Sequence, residues 1–212
     1  MPFVTFLIEH RAETAQLLFE HLLLVVVATA AAAIVAVPIG VALAHRAVLR
    51  RPILAVANVV QTIPSLALFG FLIPLLGSYG IGRLPAIIAL FLYGLLPIIR
   101  NTYTGITGID PAIREAARGM GMTPRQILAG IELPLALPVI LTGIRIVLVQ
   151  NIGLVTIAAL IGAGGLGAFV FQGIGQTAID LVLLGAIPTV ALAFSAAVLL
   201  DAVIESIDKV PA

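Results

Sequence analysis

Cysteine and tryptophan are both missing from the 212 residues, and Asp, Glu, Lys and Arg together supply only 10% of them. The lack of cysteine excludes disulfide staples, thiolate metal sites and a cysteine nucleophile, and it leaves the redox compartment unreadable. The shortage of charge, against about 25% in soluble domains, excludes an ordinary soluble fold. No stretch between the apolar runs is long enough to build a separate water-soluble domain of ~100 residues, so soluble chemistry has to come from partners. A net charge of +1 gives no reason to expect nucleic acid as a ligand. His10, His21 and His45 flank the first apolar run without metal-ligand spacing, so they read as interfacial side chains and no metal is expected.

What is present is apolar: 61% hydrophobic residues and a mean hydropathy of +1.23. Runs near the ~20 residues needed to cross a ~30 Å hydrocarbon core as a helix recur along the chain. Five are read, at 22–44, 53–76, 84–99, 135–161 and 181–204, within one all-α, polytopic membrane domain covering 1–212. The first is too long for a secretory h-region of roughly 7 to 15 residues, and its N-terminal flank is acidic (Glu9, Glu13, Glu20) rather than basic. Pro64 and Pro74 predict a kink in the second run. Placing the basic flank after the first run inside collects Arg46, Arg50, Arg51, Arg100, Arg114, Arg118, Arg125 and Lys209 on that side, with Arg11 and Arg83 outside. The positive-inside rule then puts the N-terminus outside and the C-terminus in the cytoplasm.

The inside stretch 100–134 carries local helix signals. Asp110 is an N-cap with Pro111 at the first helical position, and Ile113, Ala116, Ala117 and Met120 form an apolar stripe ended by Gly119 and Gly121. Thr123, Pro124 and Gln126 make a capping box for a second short helix, expected to stop before Pro134. Such a pair lies at the membrane surface and offers a compact knob to a soluble partner. Ala116 and Ala117 permit close approach, Glu115 is placed to pair with a partner's cations or with Arg118, and Gly121 allows the bend.

In the second run Asn58, Gln61, Thr62 and Ser65 fall at i, i+3, i+4 and i+7, which aligns four polar groups on one helix face, suited to a transport pathway or to interhelical hydrogen bonds. Ala28, Ala32, Ala36 and Gly40 form a small-residue packing seam on the first. Arg145, the one charge well inside a run, needs a carboxylate, and Asp201 or Glu205 is the expected partner in a structural pair. Gly162, Gly164 and Gly167 match GxGxxG, but a dinucleotide site needs a strand before and a helix after the loop; here the glycines follow an apolar span and read as a turn before a short helix near 168–174. Catalytic residues are not expected, because Ser65 has no membrane histidine to activate it, and Asp180 and Asp201 stand at opposite ends of one run.

Glu115-Ala116-Ala117, Gly121, Ile131, Leu133 and Pro134 resemble, at their spacing, the EAA loop of permease subunits in binding-protein-dependent ABC importers. Gln61 to Ser65, Pro97 to Thr102 and Leu160 to Gly167 are similar to the osmoprotectant branch, which handles glycine betaine, choline and carnitine. The resemblance implies a type I importer permease fold, two permeases (copies or paralogues) with two cytoplasmic ATPases, an extracytoplasmic binding protein, and a multi-pass place in a bacterial or archaeal cell membrane. It also implies that those seven residues couple to the ATPases and that ATP is bound by the partner, leaving this chain without a cofactor. With no Trp and three Tyr, no aromatic cage for a quaternary ammonium is visible, so selectivity is expected in the binding protein. Another small solute, such as ergothioneine or an amino acid, is the alternative; an ATP-independent channel or secondary transporter would instead predict a doubled repeat, which is not seen.

Overall fold

The computed structural model describes residues 8–208, so Lys209 of the cation tally lies outside the described residues. Among the described residues from Arg11 on, the α-helices follow one another as α1 (Arg11–His45), α2 (Ala47–Thr62), α3 (Ser65–Leu76), α4 (Arg83–Thr107), α5 (Pro111–Gly119), α6 (Pro124–Ile127), α7 (Leu133–Ala158), α8 (Gly167–Gln176) and α9 (Ile179–Asp208). No strand occurs among the described residues. Four continuous helical stretches are long and apolar enough to cross a membrane, and the α2–α3 pair makes a fifth if its two legs count as one span.

The bundle is organised around α1, α4 and α7. Leu24, Val25 and Ala28 of α1 meet Ala86, Ala89 and Leu90 of α4, Ile152 and Val155 of α7, and Leu68, Phe69 and Leu72 of α3 in one buried cluster. The small-residue seam of α1 is buried along its whole length, as close helix approach without a hydrophobic driving force between lipid and helix demands. Arg145 meets Asp201 at 2.6 Å and the Ala197 carbonyl at 3.4 Å, so the intramembrane charge joins α7 to α9 as expected.

Three expectations are corrected. The second run is not one kinked helix: α2 ends at Thr62, α3 begins at Ser65, and their axes differ by 98°. Proline cannot donate the helical hydrogen bond, and it biases Ile63 to the extended backbone seen there (φ −69°, ψ 125°). The second surface helix does not stop before Pro134. Instead α6 runs through a π-helical turn, Leu128–Glu132, into α7. The Leu133 N–H bonds back to the Leu128 carbonyl, and this i+5 register receives Pro134 in the first turn of α7 without breaking the rod. His21 is not interfacial but fully buried. Its Nε2 lies 2.9 Å from the Ile152 carbonyl and its Nδ1 accepts the Leu166 N–H at 3.3 Å, which together select the neutral Nε2–H tautomer. Beside it Glu20 holds Arg83 at 2.8 Å and accepts the Gly165 N–H at 3.3 Å. The glycine loop is thereby a pinned turn, with positive φ at Gly162, Gly164 and Gly165, leading into α8.

Candidate functional site

The surface knob is built from local chemistry. The Asp110 carboxylate accepts the Ala112 N–H at 2.9 Å and opens α5. At the other end the Gly121 N–H reaches the Arg118 carbonyl at 2.9 Å and the Met122 N–H reaches the Ala117 carbonyl at 3.1 Å, the paired bonds of a Schellman motif. Gly121 sits at φ +81°, where a side chain is strained whatever the space around it. Thr123 and Gln126 then close a reciprocal capping box on α6.

Burial divides the motif. Ala117 is fully buried and fixes the helix to its own chain, whereas Ile113 and Met120 are 41% and 73% exposed and Glu115 and Ala116 are exposed beside them. The stripe read from the sequence is therefore mostly turned outward. Glu115 does not pair with Arg118 and has no ion-pair partner among the described residues. Ile131 and Leu133 are partly buried in the rod leading to α7, and Pro134 is exposed at its first turn.

Two residues that the motif does not contain anchor the knob. The Arg114 Nε donates to Glu132 Oε1 at 2.7 Å, its Nη1 to the Ile109 carbonyl at 3.3 Å, and its Nη2 to the Ile106 carbonyl. One guanidinium thus satisfies carbonyls at the end of α4 and a carboxylate at the start of α7. Glu132 is 2% exposed, and its other oxygen lies 3.0 Å from Nε2 of His45, the last residue of α1. In the sequence Arg114 reads only as an inside cation, and Glu132 carries no signal of its own within the inside stretch 100–134. The available signal was a basic residue just beyond a helix C-terminus, where free carbonyls collect.

The polar residues of the second run divide differently. Because the helix breaks at Ile63–Pro64, Asn58, Gln61 and Thr62 lie on α2 and Ser65 on α3, so the four do not share one helix face. Gln61 donates to the Tyr93 carbonyl of α4 at 2.7 Å, and the Tyr93 hydroxyl donates to the Ile63 carbonyl that the break leaves free. Asn58 donates to the Leu54 carbonyl at 2.7 Å and accepts from Arg100 at 3.1 Å. The exposed Thr62 hydroxyl turns back to the Val59 carbonyl at 2.7 Å, and Ser65 is partly buried. Gln61 and Tyr93 together form a strut that holds the elbow against α4.

A bundle of long apolar helices with a partly exposed helical knob between α4 and α7 has the architecture of a membrane permease. Residues 36–209 match the family described as the inner membrane component of binding-protein-dependent transport systems, and the chain belongs to that family. It is 47% identical over 189 residues to the osmoprotectant import permease protein OsmW of Salmonella typhimurium, covering 88% of each chain. It is 43% identical to the choline transport system permease protein OpuBB of Bacillus subtilis, over 90% of this chain and 86% of that one. The carnitine transport permease protein OpuCB of Listeria monocytogenes is 44% identical over the same shares. Among solved structures, a chain of the MetNI methionine ABC transporter in an inward-facing conformation superimposes with a TM-score of 0.83 at 26% identity, over 91% of this chain and 95% of that one.

Proposed function

We propose that this chain is the membrane pathway of an ATP-driven importer for osmoprotectants such as glycine betaine, choline or carnitine, and that α5 is where cytoplasmic ATPases drive it. The observation that carries the reading is the division of burial on α5. Ala117 and Arg114 root the helix in the bundle while Glu115, Ala116, Ile113 and Met120 face outward, the arrangement of a lever gripped by a soluble protein. The names of the relatives support the substrate class. In this reading Gly121, Ile131, Leu133 and Pro134 serve the lever by shaping its turn and its junction with α7. ATP is bound and hydrolysed by the ATPases, an external binding protein delivers solute, and two permeases enclose the path. The chain itself carries out no bond chemistry and needs no cofactor.

The cation distribution supports an outside N-terminus and a cytoplasmic C-terminus, with α2–α3 crossing as one bent span. If the elbow returned to the side it came from, Arg114, Arg118 and Arg125 would lie opposite Arg46, Arg50 and Arg51, against the positive-inside rule. Legs of 16 and 12 residues rise about 24 and 18 Å, and at this bend their ends stand roughly 28 Å apart, close to the ~30 Å of a hydrocarbon core. The elbow is also our proposed pathway wall: Thr62 and Ser65 offer neutral hydroxyls to solute, and Asn58 and Gln61 hold the bend.

Uptake of labelled glycine betaine, choline and carnitine into proteoliposomes holding the complete complex tests the reading. Ala116→Arg is expected to abolish binding-protein-stimulated ATP hydrolysis and uptake together while the chain still inserts. Stimulated hydrolysis at the wild-type rate in that variant contradicts it.

A further inference from the structure

We infer that Glu132 is a positioning residue for energy coupling, the joint through which movement of α5 reaches the inner end of α1 as well as α7; this rests on the reading of α5 as the ATPase-facing lever.

Three elements meet on this one carboxylate. Arg114 brings α5, and its guanidinium is held in a single orientation because its remaining nitrogens are spent on the Ile106 and Ile109 carbonyls. The π-helical turn brings α7: its extra residue per turn departs from the α-helical ladder on either side and ends on Glu132 itself. His45 brings α1, with the ring half-exposed at its C-terminal residue.

The two contacts differ in kind. Arg114 makes an aligned hydrogen bond to Oε1, whereas Oε2 is buried and has no hydrogen bond, although His45 Nε2 lies 3.0 Å away. A buried carboxylate oxygen left without a donor is unfavourable, so there is a standing free-energy gain for any small shift that brings the imidazole into line. A cleft of about 250 Å³ bordered by His45, Arg118, Met122 and Glu132 gives the ring room for that shift. Arg118, from the next turn of α5, is the other charge facing this cleft. The joint is therefore rigid toward the lever and adjustable toward the first span. Displacement of α5 carries Glu132 with it through Arg114, and the Glu132–His45 contact passes that displacement to α1.

The test uses the whole complex in proteoliposomes, with uptake and ATP hydrolysis measured on the same preparation. His45 is half-exposed, so variants there assemble. His45→Ala and Glu132→Gln are each expected to raise ATP hydrolysed per solute imported at least threefold. The double variant should be no worse than either single one. His45→Lys, which returns a nitrogen donor to the carboxylate, should restore the ratio to within twofold of wild type. A wild-type ratio in His45→Ala, equal uncoupling in His45→Ala and His45→Lys, or single effects that multiply in the double variant overturns the inference. Ala116→Arg separates the two readings. If it spares stimulated hydrolysis, the lever assignment itself fails; if it abolishes hydrolysis while His45→Ala keeps the wild-type ratio, only the joint fails.

Discussion

The α5 knob and the α2–α3 elbow were both read from residue spacing, and only the first kept the geometry that its spacing implied. The knob is specified by signals that act within five residues. Asp110 caps the N–H two positions on, Gly121 closes a Schellman turn, and Thr123 and Gln126 cap each other. The elbow reading needed a helix to stay continuous across Pro64, because a face at i, i+3, i+4 and i+7 exists only on an unbroken helix. The break moved Ser65 onto another axis and left Gln61 to brace the bend against Tyr93. Spacing is reliable where each signal is complete in itself, and loses meaning across a residue that ends the helix.

The largest effect is expected at the knob's turn. Gly121 has open space around the position a Cβ would take, so Gly121→Val acts only through its φ of +81°, at a cost of about 1–3 kcal/mol. That strain falls on the lever, and binding-protein-stimulated ATP hydrolysis should drop at least tenfold with insertion unchanged. Gly119 also has open space but no positive φ, and Gly119→Ala should stay within twofold of wild type in the same assay. Equal losses in the two variants would show that bulk, not backbone conformation, governs this turn.

A middle effect is expected at the elbow. Gln61→Leu and Tyr93→Phe each remove one hydrogen bond of the strut, worth about 1 kcal/mol. Uptake should fall about fivefold in each, with a measurable drop in thermal stability of the solubilised complex, whereas Thr62→Val, which loses a bond to its own helix and the hydroxyl offered to the path, should lower uptake with thermal stability unchanged. Uptake lost at Gln61 with stability intact would return Gln61 to the pathway wall.

The smallest perturbation sharpens whether the elbow crosses. Ser78→Cys, just beyond α3, should react with an impermeant maleimide in intact cells, and Ala47→Cys, at the start of α2, should not. Labelling of both or of neither makes the elbow re-entrant.

Most of the fold was legible from apolar run length, since a membrane helix needs only its own residues to satisfy its backbone. The Arg145–Asp201 pair was legible for a related reason: a lone intramembrane charge demands a partner, and few carboxylates were in reach. His21 was not legible, because its burial is set by Ile152 and Leu166, which lie 131 and 145 residues away in the chain. Glu132 was hidden in the same way: nothing near it in sequence shows that Arg114 and His45 converge on it, and the π-turn that aims it at them carries no signal as local as a cap.

Because the chain has no cysteine, Ala116→Cys introduces a single thiol on the exposed face of α5. In the assembled complex that thiol should cross-link to the ATPase subunit and be protected from a hydrophilic maleimide, and it should regain reactivity when the ATPase is stripped from the membrane. Equal reactivity with and without the ATPase, and no cross-link, would contradict the assignment of α5 as the surface through which ATP hydrolysis drives this permease.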